Sequence, residues 1–325
     1  MIRIFADANY DILTARKIAY LVSAAVIVPG ILFLSVRPLN ESIEFTGGTL
    51  LQIRATDPTA MQTETIRTAL DAAGVGGAEI QRFGAPGDGE YVIRARLGLE
   101  SATSEEATQE TAAVVERALT ESFGEGAFET ERTEAVGPKV GGELRQKALL
   151  AILMSFGATL IYLWFRFEWR FGIAAIVATA HDTTAAVAFM SLMNLEITLV
   201  VVAAVLTIVG YSLNDTIVVF DRVRENLRKY KRKNLYEILN RSINETLPRT
   251  LLTSVTTLAA TISLLVFGSE VIAGFAQMMT FGIIVGTFSS IYIASPVLLA
   301  IERRWPGEDV RGAKVIPHER VTVAG

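Results

Sequence analysis

The sequence contains no cysteine, and this absence excludes a disulfide framework, a thiolate metal site and a cysteine nucleophile. It contains only two histidines, which leave little material for a histidine metal centre, so we expect no metal and no cofactor. A basic excess is also missing, because 30 Lys and Arg face 34 Asp and Glu. Since no surplus of cations is available for phosphate contacts, we expect no nucleic-acid partner.

Charge is nearly absent from six long apolar stretches of this 325-residue chain, in which hydrophobic residues make up 51%. About twenty such residues span a bilayer core of about 30 Å. The stretches are residues 18–36, 148–165, 171–195, 197–220, 250–269 and 271–301. A signal peptide is the alternative for the first stretch, but the stretch is long for one and lacks an Ala-x-Ala site. The pattern predicts a polytopic α-helical membrane protein with six transmembrane helices in a 1+5 arrangement.

Lysine and arginine are concentrated on one side of these predicted helices. The segment 221–249 alone holds nine basic residues against four acidic ones, and by the positive-inside rule it is cytoplasmic. Binding of lipid or nucleic acid is the alternative use of this segment. We therefore predict a cytoplasmic N-terminus, a first helix, an exported domain, a five-helix bundle containing the basic loop 221–249, and a cytoplasmic tail, at residues 1–17, 18–36, 37–147, 148–301 and 302–325.

The predicted exported domain is acidic, with 19 acidic and 11 basic residues between positions 37 and 147. Its hydrophobic patterns predict strands at 49–54, 78–83, 90–97 and 127–136, and helices at 58–73 and 104–123. That order, βαββαβ, is typical of the ferredoxin-like α+β fold. Because the domain shows no Ser/His/Asp set and no phosphate loop, we interpret it as a binding or mechanical element.

Ionisable residues inside the apolar stretches are costly, at about 2.5–3.5 kcal/mol each, and so need a reason. Asp215 is either a structural carboxylate or a proton carrier, and we favour the carrier. Arg249, which we expect to open the fifth helix, is its candidate counter-charge, although an arginine at a helix end can also snorkel to the interface. His181 and Asp182 are either a proton relay or a hydrogen-bonded structural pair. The candidate supporting polar residues in these spans are Asn214, Thr253 and Thr257.

Small residues recur every four positions in the sixth stretch, at Gly282, Gly286 and Ser290. Such spacing places them on one face of a helix, where they allow a neighbouring helix to approach closely. We interpret this face as a packing surface.

Several segments together resemble the SecF family, the smaller subunits of the bacterial SecD–SecF accessory complex of protein export. The matching segments, in the order of the family, are Ile43-Glu-Phe-Thr-Gly-Gly-Thr, Val136-Gly-Pro-Lys-Val-Gly-Gly-Glu-Leu, Phe167-Glu-Trp-Arg-Phe-Gly, Ala180-His-Asp, the fourth-helix run Val209 to Asn226, and Thr246-Leu-Pro-Arg-Thr-Leu-Leu-Thr-Ser. The family-motif residues are Glu44, Gly47, Gly48, Gly137 and Pro138. One departs from the usual pattern, because the family commonly has Asp where Glu44 stands.

This resemblance implies a non-enzymatic member of the RND transporter superfamily in the bacterial inner membrane. Six helices would form half of a twelve-helix unit beside SecD. The complex would assist the SecYEG channel and its motor SecA, and would use protons crossing the lipid bilayer to promote translocation of a preprotein. The proton-pathway Asp and Arg of the family correspond to Asp215 and Arg249 of this chain.

Two other classes of protein are alternatives. The first is an exporter of small molecules or lipids from the same superfamily, working as a homo-oligomer, although one short exported domain and six helices are half of what such pumps carry. The second is an intramembrane aspartyl protease with Asp182 and Asp215 as its dyad. Those enzymes commonly carry Gly-x-Gly-Asp, whereas Ser-Leu-Asn precedes Asp215 here.

Overall fold

The computed structural model describes residues 8–83, 88–95, 105–231 and 233–306. The predicted N-terminal segment and C-terminal tail therefore lie partly outside the described residues, at 1–7 and 307–325. The chain divides into two compact units. We call Glu41–Ala151 the sheet unit, and the described parts of Met1–Asn40 and Ile152–Gly325 the helical unit.

Four strands and two longer helices make up most of the sheet unit, in the predicted order of strands and helices. The elements are α2 (Ile43–Thr46), β1 (Gly48–Ala55), α3 (Thr63–Ala72), β2 (Glu79–Phe83), β3 (Glu90–Ala95), α4 (Glu105–Phe123) and β4 (Phe128–Val136). All pairings are antiparallel, and the strand order is β2-β3-β1-β4. The ferredoxin-like assignment stays a prediction, with which this order agrees.

One face of the sheet carries the core of this unit. Leu51 and Ile53 of β1 are two residues apart and fully buried on the same face, because successive side chains of a strand point to opposite faces. They pack with Ile66 of α3 and Leu119 of α4. A register shift between Gln52 and Ile53 marks a bulge in the pairing of β1 with β4.

The helix α3 begins five residues later than the predicted start at Pro58. The side chain of Asp57 explains the delay, since its Oδ1 accepts hydrogen bonds from the backbone N–H and the hydroxyl of Thr59, at 2.9 and 2.6 Å. Such bonds hold the chain in a turn and compete with helix formation. A capping box between Gln62 and Thr65 then starts the helix.

Six helices in the described part of the chain are long and apolar enough to cross a membrane, as predicted. One precedes the sheet in the chain and five follow it, an order with which the predicted 1+5 arrangement agrees. Their candidate spans are Ile12–Val36, Lys139–Arg166, Trp169–Met193, Leu199–Lys229, Leu235–Phe267 and Ile272–Arg304. The corresponding elements are α1 (Arg16–Val36), α5 (Pro138–Arg166), α6 (Trp169–Met193), α7 (Leu199–Lys229), α8 (Leu235–Phe267), and α9 (Glu270–Ser289), which continues through a π-helical turn (Ser290–Ala294) into α10 (Ser295–Arg304).

The predicted basic loop 221–249 is mostly helical. Helix α7 continues to Lys229 and α8 begins at Leu235, so Arg249 lies inside α8 and does not open it. Pro248 made a helix start there plausible, but α8 accommodates it within the helix. Charged side chains do not by themselves end a helix, because the backbone hydrogen bonds of the helix do not involve them.

The helices of the helical unit approach most closely at glycines. A Cβ on Gly30 of α1 would lie 2.4 Å from the Cβ of Ala188 on α6. On α9, a Cβ on Gly282 would lie 2.3 Å from side-chain atoms of Ile208, and one on Gly286 would lie 2.9 Å from the Cβ of Ser212. The predicted small-residue face of the sixth helix is therefore confirmed as the surface that packs on α7.

Candidate functional site

Asp215 occupies the interior of the helical unit on α7. The residue is only 3% exposed, on a helix against which both α8 and α9 pack. Its Oδ2 atom has no hydrogen-bond partner among the described residues. A buried carboxylate oxygen without a partner is costly, so this position is not explained by a structural hydrogen bond.

Arg249 lies on α8 and is exposed in this chain, although it belongs to a candidate membrane span. Its guanidinium acts electrostatically on the carboxylate of Asp215. The described residues include no salt bridge between the two groups. The two charges therefore attract each other without forming a salt bridge. Uptake of a proton by Asp215 would neutralise the carboxylate and remove this attraction.

His181 and Asp182 form one hydrogen-bonded pair that joins three helices. Nδ1 of His181 lies 2.9 Å from Oδ1 of Asp182, and its Nε2 lies 2.9 Å from the hydroxyl of Ser23 on α1. The hydroxyl of Ser212 on α7 donates to Oδ2 of Asp182. Both oxygens of the Asp182 carboxylate therefore have hydrogen-bond partners. Oδ2 of Asp215, which lies one helical turn after Ser212 on α7, has none among the described residues. The arrangement favours the structural reading of the pair.

A second polar contact joins α7, α8 and α9 at the level of Tyr211. Its hydroxyl donates to the hydroxyl of Ser254 at 3.3 Å, and Ser254 is 2.7 Å from the hydroxyl of Thr287. Because Thr287 also donates to the carbonyl of Ile283 in its own helix, it accepts from Ser254. These bonds join α8 to α7 and α9 at Ser254, one helical turn after Thr250.

The predicted supporting residues do not reach Asp215 through hydrogen bonds. Thr253 donates to the carbonyls of Arg249 and Thr250, at 3.0 and 2.9 Å, and Thr257 donates to that of Thr253 at 2.8 Å. Both hydroxyls therefore satisfy their own helix. Asn214 is exposed on α7, on a different side of the helix from Asp215.

The family-motif residues lie in the sheet unit and form a separate cluster. Gly47 and Gly48 join α2 to β1 with φ values of 72° and 130°, which favour glycine. A Cβ on Gly141 of α5 would lie 2.9 Å from the backbone nitrogen of Gly47 and 3.1 Å from the carbonyl oxygen of Phe45, so the first turn of α5 packs closely on the end of α2. Glu44 lies on α2.

Gly137 and Pro138 join β4 to α5. Gly137 follows the last residue of β4, and Pro138 is the first residue of α5, where a proline is favoured because its missing N–H would have no partner. The two residues thus mark the point at which the sheet ends and a long helix begins. Their position indicates a role in connecting these elements.

Sequence reasoning missed several hydroxyl residues of this region. Ser23, Ser212 and Thr287 each bridge two helices, and Ser289 is a buried hydroxyl without a partner among the described residues. The available signal was weak, because a single serine in an apolar run is common in membrane helices. The described residues include no group of three or more His, Asp or Glu that could hold a metal ion.

Comparison with known proteins gives two matching family profiles. The profile described as "Protein export membrane protein SecD/SecF, C-terminal" matches residues 114–304, and the "SecD/SecF GG Motif" matches residues 32–59. The protein translocase subunit SecF of Gemmatimonas aurantiaca is 48% identical over 95% of this chain and 92% of its own length. The subunit of the same name from Rickettsia felis is 39% identical over 91% of this chain and 93% of its own.

Solved structures of SecDF are also similar. The crystal structure of SecDF from Thermus thermophilus, described as a translocon-associated membrane protein, superposes with a TM-score of 0.78 at 35% identity. A SecDF structure in a super-membrane-facing form gives a TM-score of 0.65 at 36% identity. The matches cover 92% and 94% of this chain but only 39% and 40% of those longer chains.

Proposed function

Because the chain belongs to the SecD/SecF family of protein export membrane proteins, we propose that it uses a proton gradient to promote preprotein translocation. It is an accessory subunit of Sec protein export and a multi-pass protein of the inner membrane. In this proposal Asp215 carries the proton, Arg249 is its counter-charge, and both termini are cytoplasmic. The named relatives are translocase subunits, so the chain has a transport role. In this proposal its work is mechanical, without a catalysed bond change.

The observation that carries the proposal is the carboxylate of Asp215, which is buried in a candidate span with an oxygen that no described residue satisfies. An ionisable group at such a place costs about 2.5–3.5 kcal/mol on insertion scales. A structural role would be expected to satisfy both oxygens, as at Asp182. A carboxylate that accepts and releases a proton needs an oxygen that is not occupied by a permanent hydrogen bond, and Oδ2 of Asp215 meets this requirement among the described residues.

The proposed mechanism begins with a change of charge at Asp215. When the carboxylate is ionised, Arg249 attracts it and draws α8 towards α7. When it takes up a proton, that attraction ends and the two helices can separate on the side of Arg249. Each proton that crosses the membrane supplies about 2.3 kcal/mol per 100 mV, which is enough to bias such a two-state contact.

The proposed partner within the membrane is SecD. Exposed polar or small residues form a stripe along α7 and another along α8, and lipid chains cannot satisfy the guanidinium and amide groups among them. The stripes consist of Thr207, Gly210 and Asn214 on α7, and Arg249, Thr253 and Thr256 on α8. Small and polar residues are typical of helix–helix interfaces in membranes. The SecDF chain of Thermus is more than twice as long, so we assign these stripes to contact with a SecD-type subunit. SecYEG, SecA and the preprotein complete the proposed assembly.

The test of the proton-carrier role is export into sealed inverted vesicles that contain the Asp215→Asn variant. We expect the gradient-dependent part of preprotein translocation to fall by roughly tenfold or more, because the amide cannot exchange a proton at this site. The matched control is Asp221→Asn, which removes a carboxylate from the same helix at a salt bridge with Arg166. Unchanged gradient-dependent export in Asp215→Asn would refute the carrier role.

The test of the partner is a pull-down of the tagged full chain from membranes solubilised in mild detergent. A SecD-type subunit recovered with the chain, together with SecYEG, supports the proposal. Recovery of the chain only with copies of itself would favour the homo-oligomeric exporter. Because the chain has no cysteine, single cysteines at Glu125 and Lys231 would also report on which side of the membrane each region lies.

A further inference from the structure

We infer that α7, α8 and α9 bind one internal water molecule between Asp215, Thr250 and Ser289, and that the two hydroxyls position this water on the carboxylate. This inference rests on the proposed function for its biological meaning, since the water would be the immediate proton partner of Asp215. Its structural basis is independent of that function and consists of three buried polar atoms on three adjacent helices.

The three atoms share an unusual property. Oδ2 of Asp215, Oγ1 of Thr250 and Oγ of Ser289 are each shielded from solvent and have no hydrogen-bond partner among the described residues. Their residues are 3%, 2% and 0% exposed. The other buried side-chain atoms without a partner lie in different parts of the described chain, on Asn40, Ser42, Ser191 and Asn226.

Each of the three residues lies about one helical turn from a contact that joins its helix to a neighbour. At the neighbouring level, Ser212 contacts Gly286, and Ser254 is bonded to Thr287. Asp215 lies one turn after Ser212 on α7, and Ser289 lies one turn after Gly286 on α9. On α8, which runs in the opposite direction, Thr250 lies one turn before Ser254. Positions three or four residues apart share a helix face, so these residues point to the same side as the contacts that join the helices.

The hydroxyl of Thr250 behaves differently from the others on α8. Thr246, Thr253 and Thr257 all donate to carbonyls of their own helix, at 3.0, 3.0 and 2.8 Å. Thr250 makes no such bond. A threonine in a helix commonly satisfies its hydroxyl in this way, so the hydroxyl of Thr250 is directed to a group outside its own helix.

Ser289 lies where α9 changes its geometry. It is the last α-helical residue before the π-helical turn Ser290–Ala294, which contacts α6 and α7. Turns of this type insert an extra residue and are frequent at functional sites. The Ser289 hydroxyl makes no bond to its own helix in the described chain.

Water matches these three groups in number and kind. A buried water makes about three hydrogen bonds to polar groups that are otherwise unsatisfied. It can donate to the carboxylate oxygen and to one hydroxyl while it accepts from the other hydroxyl. A monovalent cation is the competing occupant, because three oxygens also suit it, and the experiment distinguishes the two.

The experiment is infrared difference spectroscopy of the full chain, reconstituted with its SecD-type subunit in lipid, after a pH change. We expect a water O–H band that shifts in H2(18)O in the wild type and is lost in the double variant Thr250→Val, Ser289→Ala. The matched control is Thr253→Val, whose hydroxyl is bonded to its own helix and whose loss leaves the band in place. The single variant Ser289→Ala, a minimal change, should weaken the band even if the double variant fails to assemble.

Three results would overturn the inference. The first is the absence of an isotope-sensitive band in the wild type, and the second is an unchanged band both in the double variant Thr250→Val, Ser289→Ala and in Ser289→Ala alone. The third is a carboxyl band of Asp215 that responds to replacement of Na+ by choline, which would assign the site to a cation. The outcome is separable from the proposed function. If the water band behaves as expected while Asp215→Asn exports normally, the water site stands and the proton-carrier role fails.

Discussion

The sheet unit and the helical unit use the same charged residue types in opposite ways. In the sheet unit, Arg54 bonds to both Glu90 and Glu131 at 2.6 Å, on a surface where water reaches all three side chains. In the helical unit, Asp215 is buried with an unsatisfied oxygen, and Arg249 acts on it without a salt bridge. The number of charged residues in a unit is therefore a poor guide to function, whereas the presence or absence of a bonded partner for each charged group is a good one.

The physical reason is the solvent around each charge. An exposed pair contributes only about 0–1 kcal/mol, because water solvates both partners when they separate. A charge inside a candidate span has no such alternative, so its protonation and its neighbours decide the arrangement of the helices. In the proposed function the coupling chemistry therefore belongs to the helical unit, and we interpret the charged surface of the sheet unit as a solvated face.

The largest expected effect is at Asp182. Replacement by alanine leaves His181 and the Ser212 hydroxyl without their partner in a buried site, and we expect a loss of about 3–5 kcal/mol in the free energy of unfolding. The measurement is equilibrium unfolding in mixed detergent micelles. The matched change in the sheet unit, Glu131→Ala, should cost no more than about 1 kcal/mol. Equal losses in the two variants would erase the contrast between the units.

A smaller effect, about 1–3 kcal/mol, is expected where helix backbones touch. In Gly30→Ala the new methyl group would lie 2.4 Å from the Cβ of Ala188 and 2.6 Å from its Cα, so α1 and α6 must move apart. Gly172→Ala is the control, since a Cβ there meets nothing within 4 Å. Unfolding of both variants in the same micelles gives the comparison. A destabilised control would show that glycine itself, and not the close contact, is needed.

Close backbone packing should contribute similarly to the stability of both units, so the two units would differ in how they use charge and not in how tightly they pack. Gly141→Ala in the sheet unit would bring a methyl group within 2.9 Å of the backbone of Gly47, and we expect a cost in the same range, about 1–3 kcal/mol. The measurement is again the free energy of unfolding, with the neighbouring Gly142→Ala as the control, because a Cβ at that position meets nothing within 4 Å. A neutral Gly141→Ala would mean that the glycine pair and α5 do not rest on each other.

The smallest effect concerns Asp11, a carboxylate of the helical unit that lies outside the candidate spans. Burial raises its pKa, but hydrogen bonds from Thr14, Tyr236 and Asn240 outweigh burial and hold the pKa below its ordinary value. A depressed pKa in the folded state means that the stabilisation is present at neutral pH and is lost as the pH falls below about 4.

The expected result is release of the N-terminal segment from α8 in acid. A nitroxide on a cysteine introduced at Asn9 should become more mobile as the pH falls through this range, whereas Asp11→Asn should remove the pH dependence. Mobility that does not change with pH in the wild type would contradict the role given to Asp11.

The sequence predicted the broad architecture well, for identifiable reasons. Six candidate spans, the βαββαβ order and the packing face of Gly282 and Gly286 all follow from periodic patterns that are local in the chain. The errors arose where one local signal competed with another. Pro58 suggested a helix start that Asp57 delayed, and the uncharged stretch from residue 250 suggested a helix start at Arg249, inside what is a continuous α8.

By itself the sequence determined which stretches suit a membrane and which residues are costly there, because hydrocarbon thickness and charge are properties of a linear segment. Only the tertiary structure decided which polar groups meet. Ser23 and His181 are 158 residues apart and bond at 2.9 Å, and the unsatisfied atoms of Asp215, Thr250 and Ser289 come from three helices. The rotation and approach of each helix depend on side-chain packing against its neighbours, and no periodic pattern within one helix specifies them.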